Sequence, residues 1–453
     1  MVIEHGVPPR PTRSQSIRAN SSITQRVVYK VAMDDRALAK TVAQGGRLRA
    51  LVLELWQRTR MDWGFVTDRL ALTFRKEKWI GAHERRFVSE TLYGLVRNLR
   101  RVDLAIERGR RTKQAPRDLE RLIALLVLDR LIDVDAARAT ISELDWNAIA
   151  GVDAAIAGER NAAKRIALAA SLPDWLAARL VADWGSEAEP LALSLNHRAP
   201  MTVRANTLVN SRDELAKALA PLATHAGKWI DTALIVDDRT NLFSTEPFGR
   251  GAFEAQDEGS QLLAELALPE TAKPLVVDYC AGAGGKTLAL AARLGNRGRI
   301  VASDVDDGKL EELRRRARRA QVSNTRAVPI RELDELRGSA DAVLVDAPCS
   351  GIGALRRNPE ARWRLREDEL VGFAKRQRDI TTAAAELLAP GGRLVYATCS
   401  LLRCENEDVV AQLPLQRVPL PSDLAATFDR GGAFTATPHQ HGTDGFFAAI
   451  LRR

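Results

Sequence analysis

The stretch Pro274–Gly285, PLVVDYCAGAGG, limits what this chain can fold into more than any other. A short apolar run (Leu275, Val276, Val277) ends in Asp278, a turn with Gly282, Gly284 and Gly285 follows, and an alanine- and leucine-rich segment runs from Thr287 to Leu294. Strand, tight turn and helix in that order form the first unit of a nucleotide-binding α/β sheet. Glycine lets the backbone turn sharply and approach a ligand closely. A helix opening at such a turn presents unpaired N–H groups. A phosphate-binding loop ending in Gly285-Lys286-Thr287 requires glycine at position 280, where Cys280 stands. A dinucleotide fingerprint starting at Gly282 requires glycine where Thr287 falls. A ligand without a diphosphate, such as S-adenosylmethionine, fits what remains.

Strands and helices alternate from 274 onward. Arg299–Asp304 reads as the second strand and Lys309–Arg319 as an arginine-rich helix. Ala342–Val345 runs into Asp346-Ala347-Pro348-Cys349-Ser350-Gly351, and Arg393–Ala397 runs into Thr398-Cys399-Ser400. Gly445–Leu451 reads as a last strand. The pattern predicts an α/β fold, a Rossmann-like, mostly parallel sheet with its site at the strand C-termini.

A chain of 453 residues accommodates two to four domains. Residues 1–33, with Glu4 the only acid, read as a mobile basic tail. Residues 34–155 read as an all-α domain: Leu48, Leu51, Val52 and Leu55 recur at helical spacing, as do Phe87, Leu92, Leu95 and Leu99. Arg97, Arg100 and Arg101 gather beside the second stripe, so that this bundle either docks on RNA or packs on the next domain. Residues 156–265 read as linker helices and a small α+β module. In it, Thr202–Asn206 and Ala233–Val236 are strands, Ser211 and Glu214 form a capping box, and a helix begins near Ser260. Residues 266–453 complete the sheet domain.

Lys and Arg number 67 against 58 Asp and Glu, a net +9. That balance suits a polyanion such as RNA, or a solvated basic surface. No apolar run approaches the roughly 18 residues that span a membrane, and no secretory core opens the chain. Four cysteines do not make a disulfide framework in so long a chain, which points to a reducing, cytoplasmic setting.

Asp304, at the end of the second strand, stands where a carboxylate reaches ribose hydroxyls or caps a helix. Cys349 and Cys399 lie just beyond two strand ends and face the same crevice. Free cysteines are commonly small buried hydrophobes, but two in polar turns at strand tips point to chemistry. Their separation excludes a C-x-x-C redox pair, and no second ligand pair points to zinc. Cys404 reads as incidental, and Cys280 as a backbone contributor to the cofactor site. A thiol beside a methyl donor and an electron-poor pyrimidine implies one reaction. Addition of the thiolate to C6 of cytosine makes C5 nucleophilic; methyl transfer, loss of the C5 proton and elimination of the thiol follow. A thiol of pKa about 8.5 is only a few per cent ionised at pH 7, so the site must assist. An acid must also hydrogen-bond N3, and Asp346 is placed for it.

These residues resemble the Nol1/Nop2/Sun family of RNA cytosine-C5 methyltransferases, and in particular its bacterial Sun-type small-subunit rRNA enzymes. The resemblance rests on DYCAGAGGKT (278–287), DAPCSGIG (346–353), LVYATCS (394–400) and HGTDGFF (441–447), and on the pairing of a Pro-Cys with a Thr-Cys turn. RRFVSETLYGLVRNLRRVDLAI (85–106) is similar to the NusB-type RNA-binding domain fused to such enzymes. The resemblance implies S-adenosylmethionine as cofactor, with its methionine part wrapped by Cys280, Ala281, Gly282, Ala283, Gly284, Gly285 and Lys286, and its ribose held by Asp304. It implies Asp346 orienting the base and lining the cofactor site, Lys286 assisting, Cys399 as nucleophile and Cys349 releasing the product. Spacing alone does not rank the two cysteines; DNA cytosine methyltransferases use the Pro-Cys one. Ala283 replaces the family's usual proline, and the adenine contact falls near Arg331, with Asp334 as another candidate. An RRM-like α+β module and a monomeric state are also expected.

The target cytosine must leave its stack at a cost of about a few kcal/mol. Arg356, Arg357 and Arg362 are therefore expected to hold phosphates near the flipped base, and Arg314, Arg315, Arg316, Arg318 and Arg319 to add to this or to face solvent. The rival readings are a tRNA substrate with the same chemistry, a non-catalytic NusB-like RNA-binding factor, and an NAD-type oxidoreductase with a reactive cysteine.

Overall fold

The computed structural model describes residues 33–238 and 240–453. The segment expected as a basic tail lies, apart from residue 33, outside the described residues. No helix among the described residues is long and apolar enough to cross a membrane.

Residues 33–157 are helical, and the expected stripes close one core. Leu48, Leu51, Val52, Leu55, Phe87, Leu92 and Leu95 are buried in it beside Trp56, Trp146 and Ile156, and Leu99 packs against it half-buried. Asp145 ends one helix run and starts the next: its N–H donates to Gly109 O at 2.8 Å while its carboxylate accepts from Asn147 and Ala148 N–H. The helices Ala162–Ala169, Asp174–Trp184 and Ala188–Ser194 bury a second core together with Ile352, Leu355, Leu370, Leu401 and Leu402. The linker helices thus rest directly on the segments that follow both cysteine turns.

Four short strands, β1 (Met201–Ala205), β2 (Thr224–Ala226), β3 (Ala233–Val236) and β4 (Phe253–Ala255), form an antiparallel sheet in the order β2-β3-β1-β4. With the helices Arg212–Ala218 and Glu246–Gly249 between strands, this is a β-α-β-β-α-β run of ferredoxin-like order. β4 was not legible in the sequence, being only three residues long. The next helix opens at Glu258 rather than near Ser260, because Asp257 caps it through Gly259 N–H at 2.9 Å.

The second sheet contains β5 (Leu275–Asp278), β6 (Arg299–Asp304), β7 (Thr325–Pro329), β8 (Ala340–Asp346), β9 (Leu388–Thr398), β10 (Gln416–Val418), β11 (Asp429–Arg430), β12 (Ala433–Ala436) and β13 (Phe446–Arg452). Its order is β11-β12-β13-β9-β8-β5-β6-β7, with β10 on β13. β5 to β9 run parallel, and β13 pairs antiparallel with β9, Phe447 facing Thr398. Both faces are covered, so the strands are apolar without alternation: Val276, Leu344 and Val395 pack on one side, Val277, Val343 and Tyr396 on the other. From β5 the chain builds outward through β6 and β7, then returns to build β8 and β9 on the opposite flank. That reversal opens a crevice at the strand C-termini between β5 and β8.

Candidate active site

β5 delivers Asp278, fully buried, to the floor of that crevice. The turn after it closes through Ala281 N–H on Ser303 O at 2.8 Å and Gly284 N–H on Ala281 O at 2.9 Å. Gly284 has φ +88°, and a Cβ there would stand 2.6 Å from Leu313 Cγ, so glycine alone fits. Gly282 and Gly285 meet nothing within 4 Å at the Cβ position, which leaves the turn open to a ligand. The helix starts at Gly285, two residues earlier than its alanine-rich composition indicates. Asp304 at the tip of β6 accepts from Gly282 N–H at 2.9 Å and so braces the glycine turn.

The cavity over this turn has a volume of about 450 Å³. Asp278, Cys280, Ala281, Gly285, Lys286 and Asp346 line it from the sheet, and Gln256 and Asp257 from the segment after β4. Thr287 donates to Asp278 Oδ2 at 2.6 Å, while Oδ1 is buried with no partner. Burial raises the Asp278 carboxyl to about 7, against the opposing Thr287 hydrogen bond. Lys286 Nζ donates to Asp346 Oδ2 at 2.6 Å. Burial disfavours the Lys286 charge, but the neighbouring groups, Asp346 foremost, together more than offset it, and the ammonium titrates above its ordinary range.

The two cysteines expected from the strand tips meet. Cys349 Sγ lies 3.3 Å from Cys399 Sγ, although 50 residues separate them in sequence. The hydrogen bond to Cys399, then burial, pushes the Cys349 thiol well above its ordinary value, so Cys349 keeps its proton at neutral pH. Gly353 makes the close packing possible: its N–H donates to Cys399 O at 2.9 Å, and a Cβ would fall 2.1 Å from Gly445 O. Burial lifts the Cys280 thiol far above its ordinary value and the Cys404 thiol to about 11, which leaves both unreactive.

Other expected residues stand elsewhere. Arg331 is exposed in the 3₁₀ turn Ile330–Leu336 and does not line the cavity; Asp334, in the same turn, pairs with Arg337 at 3.0 Å. The expectation that Arg356, Arg357 and Arg362 grip phosphates is corrected. Arg356 is buried and donates to the carbonyls of Gly442 and Thr443 at 2.8 and 2.9 Å. Arg362 is fully buried and donates to Ala170 O at 2.8 Å and Asn196 Oδ1 at 2.6 Å. Arg357 bridges Asp257 and Asp444 at the cavity wall. In each case a long side chain closes a packing seam that local sequence does not reveal. Of the arginine-rich helix, Arg316 and Arg319 pair with buried Glu254, tying the small sheet to the large one. Arg97, Arg100 and Arg101 face inward: Arg101 pairs with Asp153, Arg100 donates to Leu172 O and Arg97 to Arg356 O. The packing alternative, not the RNA one, holds for these three.

Two features of the site were missed. One is the partnerless oxygen of Asp278, whose signal was an acid opening a glycine turn. The other is a polar clamp of Glu405, Gln377, Ser350 and Ser400 behind the cysteines. The repeated Cys-Ser pair at 349–350 and 399–400 was its signal.

Residues 265–452 match the family model described as 16S rRNA methyltransferase RsmB/F, and residues 172–242 match that of the RsmF/B-like, ferredoxin-like domain. The chain is 31% identical over 411 residues to the protein called probable ribosomal RNA small subunit methyltransferase B of Synechocystis sp., covering 82% of this chain and 91% of that one. The solved structure of PH0851 superposes with a TM-score of 0.70 at 26% identity, covering 89% of this chain and 97% of that one. A methyltransferase homologue from Pyrococcus horikoshii superposes with a TM-score of 0.56 at 27% identity, covering 65% and 100% respectively.

Proposed function

The chain belongs to the 16S rRNA methyltransferase RsmB/F family, and from this we propose that it methylates carbon 5 of a cytosine in small-subunit rRNA through a covalent Cys399 adduct. The observation that carries the reading is the pair of sulfurs 3.3 Å apart at the strand tips, beside the Lys286–Asp346 pair. The family is S-adenosylmethionine-dependent, and the cavity fits that cofactor: a buried carboxyl oxygen of Asp278 lacks a donor, which an amino-acid ammonium supplies, and the glycine turn is open. Cys280 to Lys286 would hold the methionine part and Asp304 the ribose. Bound there, S-adenosylmethionine supplies the electrophilic methyl group.

The chain's own groups do the rest. The Cys399 sulfur adds to C6 of the flipped base and makes C5 nucleophilic. Asp346, oriented by Lys286, takes up the proton that the Cys399 thiol gives up and donates it to N3 as charge builds there. In release the C5 proton passes to water, its electron pair closes the C5=C6 bond, and the S–C6 bond breaks with its pair on Cys399. The protonated Cys349 thiol stabilises that departing sulfur. A like-for-like spread of function along the chain follows: residues 34–155 as a NusB-like RNA-binding domain, 156–265 as linker and RNA-binding module, 266–453 as the methyltransferase, acting as a cytoplasmic monomer.

Bisulfite sequencing of cellular RNA with and without this protein tests the substrate. One protected cytosine of small-subunit rRNA should become convertible when the protein is absent. Loss of protection in tRNA alone, or no change in any RNA, contradicts the reading.

A further inference from the structure

Behind the two cysteine turns lies the fully buried carboxyl group of Glu405. Its Oε1 accepts the Ser350 N–H at 2.8 Å and the Gln377 amide at 3.0 Å. Its Oε2 accepts the hydroxyls of Ser350 and Ser400, each at 2.5 Å. Ser350 follows Cys349 and Ser400 follows Cys399, so one side chain ties together the neighbours of both thiols. The sheet itself does not fix the sulfurs: the β8–β9 ladder ends at Asp346 opposite Ala397, before either cysteine.

The two turns depend on Glu405 unequally. The Thr-Cys turn has other supports. Thr398 Oγ1 donates to Asn406 Oδ1 at 2.6 Å, Asn406 Nδ2 to Ser400 O at 3.0 Å, and Gly353 N–H to Cys399 O at 2.9 Å. Leu401 and Leu402 anchor it further in the core beneath the linker helices. The Pro-Cys turn has Gln377 Nε2 on Pro348 O at 3.1 Å, and Gln377 itself rests on Glu405. Its two ends are held by Ala347 N–H on Ala397 O at 2.8 Å and by Gly445 N–H on Gly353 O at 2.9 Å; next to Cys349 itself, Ser350 bonds Glu405 twice and reaches Ser400 Oγ at 3.2 Å. Glu405 holds Ser350, beside Cys349, by two bonds and Ser400, beside Cys399, by one, so removing the carboxyl loosens Cys349 more than Cys399.

We propose that Glu405 is a positioning residue that sets Cys349 against the departing Cys399 sulfur, so that it governs product release and not formation of the covalent adduct. The proposal rests on the two-thiol reading above. Reading Glu405 as packing alone predicts that adduct formation and release suffer together.

The test uses full-length protein, S-adenosylmethionine and transcribed 16S rRNA, and follows both turnover and the slow-migrating protein–RNA band on a denaturing gel. In Glu405→Ala, a thiol displaced by about 1 Å lowers turnover about 100-fold. The covalent band still appears at the wild-type rate and then persists. Glu405→Gln keeps the Oε1 acceptor and recovers most of that loss. Ser350→Ala deletes one hydroxyl, folds readily and shows the same pattern at about tenfold; it decides the matter if Glu405→Ala does not fold. Turnover within about twofold of wild type in the folded variants, or a band that slows in step with turnover, overturns the proposal. Cys349→Ala and Cys399→Ala run alongside separate the two levels. A band in Cys349→Ala but in neither Glu405→Ala nor Ser350→Ala removes Glu405 alone; full turnover in Cys399→Ala removes the two-thiol reading beneath it.

Discussion

The seam where the linker helices meet the sheet is closed, whereas the crevice at the strand tips is left open, though both are built from charged side chains. At the seam, Arg362 and Arg356 donate to backbone carbonyls from buried positions, and Trp184 Nε1 reaches Leu401 O at 2.8 Å. In the crevice, Asp278 is just as buried yet keeps an oxygen without a donor, and Lys286 and Asp346 face a cavity of about 450 Å³. Burying a polar group with no partner costs stability. A fold tolerates that cost where a ligand restores the missing contact. Charge by itself therefore does not mark function in this chain; what sets the crevice apart is a partnerless carboxyl oxygen on a residue that lines an open cavity.

Four substitutions probe that contrast. Asp346→Asn should cost about a thousandfold in kcat and leave the melting temperature near wild type; a large Tm loss with normal specific activity would place Asp346 with the seam residues. Arg362→Met should do the reverse. It strands the carbonyls of Ala170 and Leu195 and the Asn196 amide oxygen, at about 3 kcal/mol of unfolding free energy. The folded fraction should keep normal kcat, and RNA affinity should hold its salt dependence, because Arg362 is not a phosphate contact.

Gly284→Ala should cost about 2 kcal/mol, since it adds a left-handed residue and a clash with Leu313, and should weaken S-adenosylmethionine binding at the same time. Calorimetry reads both, and normal cofactor affinity would detach the turn from the cofactor. The last effect concerns pH. The Asp278 carboxyl titrates near 7 in the folded state and near 3.9 when unfolded. Below about pH 4 it is protonated in both states. Above that the unfolded chain loses the proton first, so stability falls as pH rises toward 7 and then levels off. Between pH 5 and pH 8 the wild-type Tm should drop about 3 °C more than that of Asp278→Asn; equal slopes would show that the orphan oxygen carries no cost.

What the sequence disclosed was short in range. β6 ends at Asp304 as its apolar run indicates, the Ser211–Glu214 capping box forms, and both cysteine turns follow strand ends. Each of these is set by neighbours a few residues apart. What it concealed depends on distant partners. Arg316 and Arg319 read as surface charge until Glu254 on β4 comes to meet them, and β4 is too short to announce itself. β9 starts at Leu388, before the apolar run at 393, because Leu388 pairs with Ala340 across an irregular register. The approach of Cys349 to Cys399 needs the register of two parallel strands and a buried glutamate between their turns. Spacing placed both sulfurs at one sheet edge but could not bring them into contact.

The covalent route stands or falls on one gel. Cys349→Ala and Cys399→Ala are each incubated with S-adenosylmethionine and transcribed 16S rRNA, denatured and resolved by size. Cys349→Ala should accumulate a slow protein–RNA band, and Cys399→Ala should give neither band nor methylated product. A band from Cys399→Ala, or methylation at the wild-type rate by that variant, would contradict the assignment of Cys399 as nucleophile.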